Sequence, residues 1–258
     1  MTEKSKANSP ETPIIEMAGV AISSQAYPEK AVIEDINWTV RPGEFWIIAG
    51  MHGSGKSDLM ATSAGLFPPL SGSYRFFDHE MPIFEDHLVS ERLRLGLVFE
   101  GGQLLQNLTI RENVTLPLRY HRPEATMREI TDMLELTGLK HHANSLPAVV
   151  SRSWHKRAGL ARALVMRPEI LLVDDPLSGL DPRHAHWWVD FLRELSTGHD
   201  CMGGRPLTLL VTTEDLRPWR NFDAHFAILQ DKRFTGLGGQ SDLAGHAQPL
   251  VKELLAEH

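Results

Sequence analysis

The chain has 258 residues, a formal net charge of −7, 42% hydrophobic residues and 23% charged residues. That balance excludes coiled-coil, collagen-like and generally disordered chains, and a mildly acidic sum argues against nucleic acid as a partner, because phosphate backbones select a basic excess. A single cysteine, Cys201, rules out an intramolecular disulfide and points to a reducing compartment.

Residues 1–13 are polar and carry no apolar signal-peptide core, so they read as a disordered leader, with structure beginning near Ile14. Short apolar stretches at 14–21, 31–40 and 44–49, punctuated by Pro28 and by Pro42 with Gly43, predict a β-rich opening. The middle differs. Residues 123–137 have helical periodicity at Ile130, Met133, Leu134 and Leu136, with Gly138 as a stop, so a helical subdomain over about 85–158 is expected between two β-containing parts. Then come a helix over 155–166 ended by Pro168, a buried strand over 170–173, a helix over 182–195 and strands over 208–213 and 225–230. This alternation predicts an α/β fold with a parallel sheet. Residues 231–258 show too little pattern to assign and are expected to be a tail, regulatory or dimerising. No uncharged apolar run nears the roughly 20 residues of a membrane span.

Gly50-Met51-His52-Gly53-Ser54-Gly55-Lys56-Ser57 fits G-x-x-x-x-G-K-[ST] between the apolar run 45–49 and a helix running on through Leu59 to Leu66. Its chemistry is phosphate binding. Glycines let successive N–H groups converge on phosphates, the helix N-terminus adds its positive end, Lys56 reaches the outer phosphates and Ser57 ligates magnesium. The strand over 170–173 ends in Asp174 and Asp175. Such a pair either caps the strand before the turn at Pro176 or delivers carboxylates to a neighbouring phosphate loop, Asp174 holding the metal through water and Asp175 polarising an attacking water. The phosphate loop favours the second reading.

These residues resemble the nucleotide-binding subunit of ABC transporters, from Tyr27 to about Asp215. Tyr27, followed by Val32 and Ile33, looks like the aromatic that stacks on adenine. Leu97-Val98-Phe99-Glu100, with Leu104, Thr109, Ile110, Glu112, Asn113 and Val114, is similar to the Q-loop segment. Val150-Ser151-Arg152-Ser153-Trp154, with Arg157 and Ala161-Arg162-Ala163-Leu164, aligns with the signature region. Asp174 to Pro182 looks like the Walker B end and D-loop, and Val211-Thr212-Thr213-Glu214-Asp215 occupies the switch segment. The resemblance implies a P-loop NTPase cassette over 14–230: a RecA-like parallel sheet core, an antiparallel β subdomain and an inserted α-helical subdomain.

Departures from the family pattern bear on catalysis. Glu100 stands for the Q-loop glutamine, Asp175 for the general-base glutamate and Thr213 for the switch histidine. VSRSW replaces the signature LSGGQ with only Ser151 kept, and Asp58 follows Ser57 where a hydroxyl is usual. Asp175 is one methylene short, and a misplacement of about 1 Å can cost on the order of a hundredfold in rate. Arg152, Ser153 and Trp154 put side chains where glycines let the partner's backbone approach phosphate, although Arg152 also offers a compensating charge. In the family's head-to-tail dimer each ATP lies between the loops of one subunit and the signature of the other, so no pairing of this chain completes a standard site.

The expected activity is therefore ATP binding with hydrolysis slow or absent, binding at a dimer interface serving to drive or gate a membrane permease. The expected cofactors are ATP and Mg2+. The expected cofactor contacts are Tyr27, Gly50, Gly53, Ser54, Gly55, Lys56, Ser57, Asp58, Ser151 and Arg152, with Ser57, Asp174 and Glu100 at the metal and Asp175, Thr213 and Glu100 in catalysis. The expected partners are an integral membrane permease and a second ATP-binding subunit, with this chain peripheral on the inner face of the cell membrane. The alternative is a non-hydrolysing ATP-binding regulatory module. The segment from Val98 to Leu118 is weakly similar to the Mla/MCE-type lipid-transport subfamily. Leu104, Leu105 and Leu108 are read either as subdomain packing or as anchors for a helix of the permease. Trp46 and at least one of Trp187 and Trp188 are expected in the core. The histidine pairs 141–142 and 184–186 have the wrong spacing for one helix face and read as solvated surface.

Overall fold

Side chains along two strands set the layering. In β3 (Phe45–Gly50), Phe45, Ile47 and Ala49 enter one apolar cluster and Ile48 enters a second. In β7 (Ile170–Val173), Leu171 and Val173 join the first cluster while Ile170 and Leu172 join the second. With every side chain of β7 buried, both faces must be covered, which is the environment of a central parallel strand. The computed structural model describes residues 12–24, 27–81 and 88–256.

Besides these two, the strands are β1 (Ile15–Ser23), β2 (Ala31–Val40), β4 (Ser71–Phe76), β5 (His79–Glu80), β6 (Leu95–Val98), β8 (Thr208–Thr213), β9 (His225–Gln230) and β10 (Arg233–Gly238). Among the described residues they form one sheet in the order β5-β4-β1-β2-β10-β9-β3-β8-β7-β6. From β9 to β6 all neighbours run parallel. β1 pairs antiparallel with β2 and β4, and β4 with β5. A parallel core is thus joined to an antiparallel layer through β10.

The helices are α1 (Lys56–Ser63), α2 (Val89–Arg92), α3 (Ile110–His121), α4 (Met127–Leu136), α5 (Arg152–Leu164), α6 (Pro182–Thr197), α7 (Gln240–Ala244) and α8 (Pro249–Leu255). Both α3 and α4 begin with a capping box, Thr109 with Glu112 and Thr126 with Glu129. Each box satisfies two otherwise orphaned amide donors and contributes about 1 kcal/mol. Ile110, Val114 and Leu118 of α3, with Ile130, Met133 and Leu134 of α4, bury their apolar stripes in the first cluster. No helix among the described residues is long and apolar enough to cross a membrane.

The structure corrects several expectations. The range 85–158 is not uniformly helical, because β6 lies inside it and hydrogen-bonds to β7 as the edge of the sheet. Residues 231–258 are more than a tail: β10 bridges β2 and β9, and Leu250, Val251 and Leu254 of α8 are buried in the first cluster. The pattern of β10 hid this, since its described side chains are mostly exposed and only Leu237 is buried. The expected leader falls mainly on residues 1–11, outside the described residues, while β1 begins at Ile15 as the apolar run suggested. Trp188 is fully buried, whereas Trp46 is half-buried, stacking on His225 at 4.8 Å and donating from Nε1 to Glu44 at 2.8 Å.

Candidate functional site

Parallel strands carry their following loops to one edge of the sheet, so register decides which residues meet. Ala49 of β3 is opposite Thr213 of β8, and Val173 of β7 is opposite both Val211 of β8 and Val98 of β6. The loops after Gly50, Val98, Val173 and Thr213 therefore emerge side by side.

The 50–57 loop turns between β3 and α1 with Gly53 and Gly55 in the left-handed region, at φ 78° and 95°. Gly50 has no room for a side chain, because a methyl there would lie 2.5 Å from Ser54 Oγ and 2.9 Å from the Leu229 carbonyl. A methyl on Gly55 would come within 3.1 Å of Ile33, so the start of β2 lies against the loop. Lys56 is buried and folds back, donating to the carbonyls of Gly50 at 2.8 Å and Met51 at 3.0 Å and to Glu214 Oε1 at 3.1 Å. Ser54 Oγ is buried without a protein partner. Asp58, in the first turn of α1, complements the helix dipole.

A cavity of about 290 Å³ opens beside this loop, lined by Ser57, Glu100 and Asp174 together with Phe99, Leu97 and Gln103. The expected metal residues thus share one cavity. A hydroxyl and two carboxylates are oxygen donors suited to a hard divalent cation, and Ser54 Oγ and Lys56 are donors suited to phosphate oxygens, so the residues present fit MgATP. Asp174 is buried, and its Oδ1 accepts from Thr212 Oγ1 at 2.7 Å. Thr212 Oγ1 accepts in turn from the Asp175 amide at 2.9 Å. Burial lifts the Asp175 carboxyl to about 6, against the opposing charge of Lys156.

Glu100 is held at the cavity rim. Arg152 Nη2 donates to its Oε1 at 2.8 Å and Ser178 Oγ donates to the same oxygen at 3.1 Å, so three segments meet at one carboxylate oxygen. Its neighbours are tied to α5 as well. Gly102, at φ 73°, lies so close that a methyl would sit 2.2 Å from the His155 carbonyl, and Arg162 donates to the carbonyls of Gly102 and Gln103, both at 2.9 Å.

Other expected residues lie elsewhere or point elsewhere. Thr213 is buried and its hydroxyl turns back on its own loop, donating to the Asp215 carbonyl at 2.9 Å and accepting from the Asp215 amide at 3.1 Å. The side chain that reaches Lys56 from this segment is Glu214, one position later, a role that no spacing signal in the sequence marks. Trp154 does not project outward: it is half-buried among His142 at 4.7 Å, His184 at 5.0 Å and Arg157 at 4.8 Å. Arg157 also stacks on Trp187 at 3.7 Å, and burial lowers its guanidinium to about 10. His142 and His184 are therefore packing residues rather than solvated surface. Tyr27 is exposed, with the Lys30 ammonium 4.8 Å from its ring centre. Ser151 occupies the N-cap position of α5 on the exposed surface beside Arg152, with no hydrogen bond from its side chain to the first turn. Leu104 is buried in the core and Leu105 is exposed.

The ABC transporter family profile matches residues 33–178. The chain belongs to the ABC transporter family. Among its relatives, the methionine import ATP-binding protein MetN 1 of Acinetobacter baylyi is 32% identical over 229 residues, covering 87% of this chain and 62% of that protein. A probable amino-acid ABC transporter ATP-binding protein of Sinorhizobium fredii is 35% identical over 207 residues, covering 75% of this chain and 78% of that protein. A dimeric ATP-binding cassette in a post-hydrolysis state bound to ADP and Pi matches with a TM-score of 0.75 at 26% identity, covering 87% of this chain and 99% of that one. The cbiO1 protein of Clostridium perfringens shares the fold, with a TM-score of 0.73 at 23% identity over 92% of each chain. The cassette is α/β with the P-loop NTPase architecture.

Proposed function

We propose that this chain is the ATP-binding subunit of an ABC transporter, peripheral on the cytoplasmic face of the cell membrane, where MgATP at a dimer interface drives or gates an integral permease. The observation that carries the reading is the meeting of Ser57, at the end of the phosphate loop, with Asp174 and Glu100 around one cavity. Lys56 exchanges the carbonyls of Gly50 and Met51 for the outer phosphates, and the loop amides and Ser54 Oγ take the remaining phosphate oxygens. A magnesium ion there would neutralise charge on the phosphates. Asp175 takes the proton of a water whose oxygen bonds to the γ-phosphorus as the bond to the ADP oxygen breaks.

Turnover is slow in this reading. Asp175 is shorter than the family's glutamate, the Thr213 hydroxyl is occupied by its own loop, and Glu214 places a carboxylate on the phosphate-binding lysine. The dimeric cassette among the structural relatives supports a second ATP-binding subunit. Exposed Leu105, within the Q-loop segment, supports docking of the permease there. The relatives' names extend from methionine import to ribonucleotide transport and macrolide export, so what they share with this chain is the cassette and not a cargo. Calorimetry of MgATP binding to the wild type and to Lys56→Ala tests the reading: the wild type binds saturably and the variant does not. Equal binding by both would remove the phosphate-loop assignment.

A further inference from the structure

The second turn of α5 contains a lysine with almost no solvent contact. Lys156 is 1% exposed, and its ammonium donates to the carbonyls of Asp175 at 2.9 Å, Pro176 at 3.2 Å and Ser178 at 2.7 Å. Those three acceptors match the three N–H donors of an ammonium. Burying a cation carries a penalty of several kcal/mol, and an apolar side chain of the same length would fill the space without it. The charge therefore has a use that packing alone does not explain.

Asp175 supplies that use. It adopts φ 39°, in the left-handed region that non-glycine residues enter at a cost of about 1 kcal/mol or more. Such a conformation persists only where its surroundings hold it. Here its peptide groups are fixed on both sides: the amide donates to Thr212 Oγ1 at 2.9 Å and the carbonyl accepts from Lys156. The direction of the side chain follows from that backbone. The charged groups around the ammonium are Asp175, Glu100, Arg152 and Asp174.

We propose that Lys156 is a positioning residue for the ATP reaction, fixing the backbone of Asp175 and the loop through Ser178 so that the Asp175 carboxylate meets the attacking water. The inference rests on the reading of Asp175 as the base. It also ties the helix that begins at Arg152 to the loop that follows β7, so a displacement of α5 reaches Asp175 through one ammonium.

The test uses the full chain and three variants, Lys156→Met, Lys156→Gln and Lys156→Arg. It measures MgATP affinity by calorimetry, the single-turnover rate of hydrolysis of bound ATP, and hydrogen exchange of the amides of residues 175–180. Lys156→Met is expected to lower the single-turnover rate on the order of a hundredfold while affinity stays within about threefold, because the phosphate loop is untouched. Exchange across 175–180 rises, and Lys156→Arg recovers about tenfold or more of the lost rate. A folded Lys156→Met that hydrolyses bound ATP at the wild-type rate overturns the proposal. So does a loss in which rate and affinity fall together and Lys156→Arg rescues neither. If Lys156→Met does not fold, Lys156→Gln carries the same comparison, and failure of both to fold marks Lys156 as structural only. If the wild type binds ATP without hydrolysing it over hours, it is the hydrolytic part of the proposed function that fails, and unchanged exchange across 175–180 in Lys156→Met would then overturn the role of Lys156 separately.

Discussion

Glu214→Gln should tighten ATP binding. Glu214 Oε1 lies 3.1 Å from the Lys56 ammonium, with His52 Nδ1 3.5 Å from the same oxygen. Incoming phosphate must displace that carboxylate from the lysine. Two unit charges at this distance attract by about 1 kcal/mol at the dielectric of water and about 5 kcal/mol at an effective dielectric of 20. Lys56 is buried, but the Glu214 side chain is 44% exposed. Screening therefore brings the net value to about 1 kcal/mol, the upper end for exposed ion pairs. Glutamine keeps the shape and an oxygen acceptor while removing the charge, so Kd should fall about fivefold, and the gain should shrink in high salt. Isothermal titration of ATP at two ionic strengths reads both effects. An unchanged or weaker affinity for Glu214→Gln would refute the reasoning and make the carboxylate part of the binding site rather than a competitor for the lysine.

Further perturbations separate the roles of other contacts. The Glu100 and Arg152 side chains are 43% and 59% exposed, so a double-mutant cycle with Glu100→Gln and Arg152→Ala should give a coupling energy below about 1 kcal/mol in denaturant unfolding; a value of several kcal/mol would mean the pair is fixed rather than a releasable contact. Asn113 is fully buried, with its amide nitrogen donating to the carbonyls of Leu105, Leu108 and Thr109 and its oxygen accepting from the Leu105 amide. Asn113→Ala leaves those groups unpaired and should cost about 2 kcal/mol in thermal or chemical unfolding, whereas a loss within a few tenths would show the loop repairing itself. Burial raises the Cys201 thiol to about 11, so at pH 8 only about 0.1% is thiolate. Its alkylation should be slow at pH 8 and accelerate steadily up to pH 11; a rate that levels off near pH 9 would contradict the burial effect.

The phosphate loop was legible because its chemistry demands small residues and a lysine at fixed spacing, and the structure places the 50–57 loop between β3 and α1 as expected. Asp174 was legible because a run of apolar residues ending in acid has few uses. The helix α3 left a weaker trace. Its Thr109-Glu112 box is a start signal, but Pro117 sits inside the helix and resembles a break, although the helix continues to His121. Lys156 was hidden because a lysine within a mixed helix reads as surface, and only the approach of the loop after β7 reveals that it is buried. The direction of the Thr213 hydroxyl was hidden for a related reason: its place in the switch segment is legible in the chain, whereas side-chain direction depends on the local turn, which here takes the hydroxyl to Asp215. The difference between Arg152, which faces Glu100, and Trp154, which turns inward, is likewise set by helical phase once α5 has docked.

ATP turnover per occupied site, measured on one sample in which MgATP occupancy is determined by calorimetry, tests the central claim most directly. Saturable binding with turnover well below about one per second is the predicted result. Absence of binding, or turnover at or above about one per second, would contradict it.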